Sequence, residues 1–355
     1  MPTAFDPITI GNLYLANRIT MAPMTRSRAA VPGATATALM AQYYAQRASA
    51  GLIITEGVQP SVVGQGYINT PGLHSTEQVQ SWREVTGAVH AAGGKIVAQL
   101  MHTGRIGHPD SYAGDPMTPV APSPVKAAGQ TYTPTGLQDF VVPRELTGDE
   151  IKATVRDFAQ AARNAIEAGF DGVELHGANG YLLHQFLSTN VNRRQDDWGG
   201  SVQGRIRFTL EVARTVAATI GAGRTGLRIS PGNTLNDIVE DAQGTYPALL
   251  EALNPIGLAY LHVMETVEAD LTRQLRTQWQ GAFILNPVTP GSATGAAQLQ
   301  LIENGSTDLL SFGAAFLANP DLPARLAAGG PYNTPDFSTA YGGGAVGYTD
   351  YPTLP

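Results

Sequence analysis

An α/β fold, a (β/α)8 barrel of the TIM type, is the class this sequence predicts, and three observations carry it. The chain has 355 residues, enough for one large domain with a sizeable core. Eight short apolar, β-branched runs alternate with longer amphipathic stretches, the pattern of repeated strand–helix units. No G-x-G-x-x-G string follows the first run, which speaks against a doubly wound dinucleotide-binding sheet.

In chain order the strands are expected at residues 19–24, 51–56, 95–100, 172–177, 226–230, 258–263, 282–286 and 309–313. Helices are expected at 35–50, 76–92, 148–168, 202–220, 246–253, 269–280, 293–303 and 320–328. Thr147 stands three residues before Glu150, a capping box, and Gly93 and Gly169 lie just past helix ends. Two segments stand outside the alternation. Residues 1–18 hold Ile8-Thr-Ile10, Gly11-Asn12 and Tyr14-Leu15, read as an N-terminal β-hairpin closing the barrel bottom. Residues 102–146, after strand three, are rich in Pro and Gly and are expected to form a lid inserted into a single domain spanning 1–355.

Charge excludes some partners. Against 29 Asp and Glu stand 22 Lys and Arg, a net charge of −7, and no basic stretch invites nucleic acid or anionic lipid. The absence of cysteine removes disulfides, thiolate metal sites and cysteine nucleophiles together. The N-terminal residues lack a charged region followed by an apolar run, and no apolar run reaches the roughly 18 residues that cross a bilayer. The expected location is cytoplasmic. Nothing here distinguishes a monomer from a homodimer.

Barrel active sites are built at the C-terminal strand ends. Those ends hold Pro23-Met24-Thr25, Glu56-Gly57, Gln99, His176 with Asn179 and Tyr181, Arg228, Glu265, Asn286-Pro287-Val288 and Gly313-Ala314. Polar groups suited to a heteroaromatic ring outnumber carboxylates, and no lysine is among them. Strand alternation puts Glu174 and His176 on one side, toward the interior if Val173 and Leu175 face the helices. His176 and Asn179 on a glycine-bearing turn can both donate to one carbonyl or nitro oxygen, as an oxyanion hole does. Tyr181 would stand nearby as a hydroxyl proton donor. The bland reading, an interior histidine and a wall tyrosine, stays open on this motif alone. So do a metal shared by His102, His176 and His262, a Glu56/Glu265 glycosidase pair, and a flavin-storing protein without catalysis.

Longer strings narrow the choice. Phe5-Asp-Pro-Ile8, Asn17-Arg18-Ile19, Met21-Ala-Pro-Met-Thr-Arg26 and Gln99-Leu-Met-His-Thr-Gly-Arg105 open the series. His176-Gly-Ala-Asn-Gly-Tyr181, Gln185-Phe-Leu187, Trp198-Gly-Gly-Ser201, Arg228-Ile-Ser-Pro231, Ala318-Asn-Pro-Asp-Leu322 and Gly347-Tyr-Thr-Asp-Tyr-Pro352 complete it. In these the chain resembles the Old Yellow Enzyme family over nearly its whole length. The resemblance implies an FMN-dependent ene-reductase that takes electrons from NAD(P)H to reduce small-molecule enones or nitroalkenes. It implies FMN held by Pro23, Met24, Thr25, Gly57, Gln99, His176, Arg228, Val288, Gly313 and Ala314, with Thr25 donating to the flavin C4 oxygen. Arg228 would sit by N1 and C2, where positive charge stabilises the reduced ring; an ion pair with Glu174 is its alternative role. His176 and Asn179 would hold the substrate oxygen, and Tyr181 would protonate the α-carbon from the opposite face, giving net trans addition. Tyr67, Met101, Asn236 and Tyr341 would line the substrate pocket.

Two departures from the family pattern carry expectations. Ala314 stands where many members place a phosphate-clamping arginine, and residues 286–294 depart from the usual Gly-rich run. Loss of a charge-assisted bond weakens phosphate holding by about 1.5–3 kcal/mol unless another arginine substitutes. Met101 replaces a bulky tryptophan, so a flexible thioether shapes the pocket.

Overall fold

The computed structural model describes residues 1–112, 114–266 and 269–355. The strands in order are β1 (Ile8–Ile10), β2 (Leu13–Leu15), β3 (Ile19–Met21), β4 (Leu52–Val58), β5 (Ile96–Leu100), β6 (Val120–Ala121) and β7 (Gln130–Thr133). They continue as β8 (Gly136–Asp139), β9 (Arg144–Glu145), β10 (Gly172–Gly177), β11 (Thr225–Ile229), β12 (Tyr260–Met264), β13 (Ala282–Asn286) and β14 (Leu309–Phe312). The helices are α1 (Ala38–Ala45), α2 (Thr76–Ala91), α3 (Gly148–Glu167), α4 (Leu182–Leu187), α5 (Val202–Ile220), α6 (Ala242–Leu253), α7 (Ala269–Gln278), α8 (Gln300–Glu303), α9 (Ala314–Ala318) and α10 (Leu322–Ala328).

Strands β3, β4, β5 and β10 through β14 pair in parallel and close into a barrel, β14 returning to β3. All eight expected strands are present; 172–177 and 282–286 have the expected bounds and the other six have shifted ends. The first stops at Met21 rather than residue 24, so Pro23 to Thr25 leave the sheet. The second runs on to Val58 through a register irregularity between Ile54 and Gly57. The 35–50 helix shrinks to α1, and the 293–303 helix breaks into a 3-10 turn (Ala296–Leu299) followed by α8. Helix α4 is an addition: its six residues are all buried, so it has no polar face for periodicity to reveal.

Helix α3 starts where the capping box sets it. Thr147 Oγ1 accepts from the Glu150 N–H at 3.2 Å, and the Glu150 carboxylate accepts from the Thr147 N–H at 2.8 Å. The hairpin β1–β2 is antiparallel, and its Ile10, Leu13 and Leu15 pack on Leu52, Ile54, Val97, Tyr260, Ile284 and Leu309 at the N-terminal ends of barrel strands. Gly11 makes its turn with φ of 52° against the Gly223 carbonyl, where a Cβ would stand 2.4 Å from oxygen. Within residues 102–146, β7 and β8 form a second hairpin and β6 pairs with β9; position 113 lies outside the described residues.

Gly226 on β11 lies opposite Tyr260 on β12, and a Cβ on Gly226 would come within 2.2 Å of that ring. Gly226→Ala is therefore expected to lower stability by about 1–3 kcal/mol through overpacking. Gly148→Ala, with nothing within 4 Å of the added carbon, should be close to neutral. Urea unfolding of both variants checks the contrast, and equal midpoints would contradict it.

Candidate active site

Residues Pro23, Met24, Thr25, Arg26, Gly57, Gln99, Met101, His176, Asn179, Tyr181, Arg228, Leu317, Phe337, Ala340 and Tyr341 surround one cavity of about 280 Å³. Its floor comes from alternation along β10. Val173 and Leu175 join the apolar layer with Phe158 of α3 and Phe208 of α5, so Glu174 and His176 turn inward. Glu174 has no exposed surface. Its carboxylate accepts from Gln99 Nε2 at 2.8 Å and from His262 Nδ1 at 2.9 Å.

An ion pair with that carboxylate is the alternative role expected of Arg228. Its Nη2 donates to Asn286 Oδ1 at 3.1 Å, while the Glu174 oxygens take hydrogen bonds from Gln99 and His262. Burial lowers the guanidinium pKa and the nearby Glu174 charge offsets that. Arg228 Nε and His176 Nδ1 are buried without a partner among the described residues. Such atoms are costly unless something else bonds them. His176 is held neutral: burial first, then the Arg228 charge, push its pKa well below the ordinary histidine value.

The chain leaves β10 through Ala178, Asn179 and Gly180, the last two at positive φ of 58° and 78°. Asparagine tolerates this region, and glycine is required at the second place, where a Cβ would meet the Leu235 oxygen at 2.7 Å. Asn179 is pinned on three sides. Its N–H donates to Ser230 Oγ at 2.9 Å, its carbonyl accepts from Asn236 Nδ2 at 2.8 Å, and its Oδ1 accepts from Asn233 Nδ2 at 3.0 Å. With Oδ1 taken, the side-chain NH2 is the group left to offer. A buried brace holds the next residue: the Gly180 N–H donates to His184 Nδ1 at 3.0 Å, and His184 Nε2 meets Glu240 Oε2 at 2.9 Å. Glu240 also accepts from the Gly232 N–H at 2.7 Å, tying the turns after β10 and β11 together.

Tyr181 begins α4. Its ring centroid lies 5.1 Å from that of His176, and its hydroxyl is 3.0 Å from that of Tyr67. Tyr67 and Asn236 stand behind Tyr181 and Asn179 rather than lining the cavity, whereas Met101 and Tyr341 do line it. Met101 lies over Gly57, where a Cβ would sit 2.4 Å from its methyl carbon. Val288, Gly313 and Ala314 fall outside the cavity lining. Val288 is exposed with its N–H on Glu265, and Gly313 lies next to Met24. Arg47 is no substitute phosphate clamp, since it donates to the Tyr43, Phe316 and Leu317 carbonyls.

Sequence reasoning missed Arg26, Leu317, Phe337 and Ala340. Arg26 donates to the Ala340 and Gly347 carbonyls at 2.8 and 3.0 Å and lies over the Tyr348 ring, which brings the C-terminal segment to the rim. The alternatives weaken on the same geometry. Glu56 and Glu265 do not line the cavity; Glu56 is buried beside Tyr44 and pushed up to about 7 by burial. His262 is bound to Glu174 and His102 accepts from the Gly104 N–H. Among the described residues no three His, Asp or Glu side chains converge as metal ligands.

The arrangement fits a flat polar-edged ring: two nitrogens unpartnered among the described residues, a glutamine lining the cavity with its amide nitrogen tied to Glu174, and a threonine in the lining. A family model described as NADH:flavin oxidoreductase / NADH oxidase matches residues 3–333. A probable flavin mononucleotide-dependent alkene reductase of Leishmania infantum is 41% identical over 98% of this chain and 96% of its own. 12-Oxophytodienoate reductase 2 of Arabidopsis thaliana is 39% identical, over 98% of this chain and 95% of its own. Morphinone reductase in complex with tetrahydroNAD superposes with a TM-score of 0.94 at 42% identity, covering 100% of this chain and 98% of the other. The old yellow enzyme homologue of Zymomonas mobilis gives 0.95 at 39% identity, over 99% and 100%. No helix among the described residues is long and apolar enough to cross a membrane. The chain belongs to the NADH:flavin oxidoreductase / NADH oxidase family, within the Old Yellow Enzyme group of FMN enzymes that draw electrons from NAD(P)H.

Proposed function

We propose that this enzyme reduces the C=C bond of small α,β-unsaturated carbonyl or nitro compounds. One observation carries the reading: a neutral imidazole, an amide with only its NH2 free, and a phenolic hydroxyl share one cavity above a polar floor. FMN supplies hydride chemistry there, recharged by NAD(P)H, with Pro23, Met24, Thr25, Gly57, Gln99, His176 and Arg228 as the residues that would hold its ring. Backbone N–H groups at Gly313 and Ala314 remain the proposed phosphate seat, without an arginine; the expected Val288 N–H is already given to Glu265.

His176 and Asn179 hold the substrate oxygen. A neutral histidine keeps its donor without presenting a full charge, and the tie from Asn233 prevents the Asn179 amide from turning its oxygen inward. Donors preorganised this way favour negative charge on the substrate oxygen as the β-carbon takes hydride. Tyr181 delivers the proton to the α-carbon. Burial raises its pKa, so it stays protonated until a basic carbon is presented. Met101 and Tyr341 shape the substrate space. The 102–146 segment covers the site: its Ile106, Ala127 and Phe140 pack with Tyr67 and Tyr181. The names of the relatives, an alkene reductase and an oxophytodienoate reductase, support an enone as the substrate class.

Tyr181→Phe should leave flavin reduction by NADPH intact and slow alkene reduction by about 10²-fold or more, read as two half-reactions. Equal loss in both would make Tyr181 structural. Para-chlorophenol should give a long-wavelength charge-transfer band with the holoenzyme, and His176→Ala/Asn179→Ala should abolish it. An unchanged phenol titration would overturn the oxygen-binding role of that pair.

A further inference from the structure

Among the described residues the Tyr67 hydroxyl has one hydrogen-bonding partner, the hydroxyl of Tyr181 at 3.0 Å, and the two rings meet edge to face with centroids 6.3 Å apart. Tyr67 is linked to the groups of the cavity, among the described residues, by this hydroxyl contact with Tyr181. Its place is held firmly. The Tyr67 carbonyl accepts from Gln65 Nε2 at 3.1 Å and from Thr70 Oγ1 at 2.9 Å, and its ring packs on the Ile106, Ala127 and Phe140 cluster.

The direction of the bond follows from what each hydroxyl must do. A phenol has one proton and two lone pairs. A Tyr181 that gives its proton to substrate must point that proton into the cavity, and its oxygen is then free to accept. Tyr67 is therefore the donor. We propose that Tyr67 is a positioning residue for proton delivery: its O–H turns the Tyr181 proton toward the substrate and stabilises the charge left on the Tyr181 oxygen. This rests on the assignment of Tyr181 as the acid.

In the step itself the Tyr181 O–H bond breaks and its electron pair stays on the phenolic oxygen. The proton forms the new C–H bond at the α-carbon; the bound cofactor would supply the hydride that the β-carbon needs. The Tyr67 O–H stays intact, and solvent later returns the proton to Tyr181. The surroundings favour this division of labour. Burial and the adjoining Tyr181 push the Tyr67 hydroxyl well above the ordinary tyrosine range, so it keeps its proton. Burial raises Tyr181 too, but hydrogen bonds from Tyr67 and Asn236 pull it back, while Tyr341 opposes them. His176, the other titratable ring against Tyr181, is held neutral.

The test is stopped-flow reoxidation of the NADPH-reduced holoenzyme by 2-cyclohexenone in wild type, Tyr67→Phe, Tyr181→Phe and the double variant. Phenylalanine keeps the ring packing, and an unchanged bound-flavin spectrum confirms an intact site. Tyr67→Phe is expected to slow reoxidation about tenfold at saturating enone, as loss of one charge-assisted hydrogen bond would. The half-saturating enone concentration and the rate of reduction by NADPH should not move, and the double variant should be no slower than Tyr181→Phe. Wild-type reoxidation in Tyr67→Phe, or losses that multiply in the double variant, would overturn the proposal while leaving Tyr181 as the acid. Wild-type reoxidation in Tyr181→Phe would overturn the acid assignment itself, and the role of Tyr67 with it.

Discussion

A carboxylate sealed from water, Glu174, organises the floor of the barrel mouth. Its two oxygens take hydrogen bonds from Gln99 on β5 and His262 on β12, and its charge lies near Arg228 on β11. Removing such a group from water is costly unless every lone pair finds a donor. Meeting that requirement orients the glutamine amide and leaves the arginine with an unsatisfied nitrogen. A ring with hydrogen-bonding edges seated above this floor would complete what the protein alone leaves incomplete. On the proposed reading, the cofactor's place would follow from how a buried charge is balanced.

Of the proposed reactive groups, His176 stands on β10 while Asn179 and Tyr181 stand on the turn that follows it. Asn179 and Gly180 lie in the left-handed region, where the backbone needs outside support. That support comes from Ser230, Asn233 and Asn236 on the side of β11, and from the His184–Glu240 brace below. Because the brace also holds the Gly232 N–H, the two strand-end turns form one unit. His176 is fixed by its strand and Asn179 by its neighbours, so their separation is set before a substrate arrives.

Much of this was legible in the residues. Eight β-branched runs and the alternation around Val173–His176 placed the barrel and the inward side chains, and the Thr147–Glu150 pair marked the start of α3. The cavity residues from Pro23 to Arg228 sit at strand ends, which the fold class alone points to. What stayed hidden depends on contacts between distant parts of the chain. Glu174 is nearer in sequence to His176 than to Gln99 or His262, and nothing local says that those two would be its hydrogen-bond partners. Arg26 reaches a carbonyl 321 residues away, so the entry of Phe337 and Ala340 into the rim has no local signature. Helix α4, buried on all sides, lacks the polar face that periodicity detects. Tyr67 and Asn236, expected in the substrate pocket, make their contacts with Tyr181 and Asn179, pairings no local pattern announces.

The central claim is that this polar floor seats a redox ring that passes electrons from a nicotinamide to an alkene. Anaerobic titration of the purified, FMN-loaded protein, followed by visible absorption, addresses it most directly. NADPH should bleach the flavin colour, and an equimolar enone should restore it with formation of the saturated ketone. A protein that fails to retain FMN, or one whose bleached flavin is left unchanged by excess enone, would contradict the account.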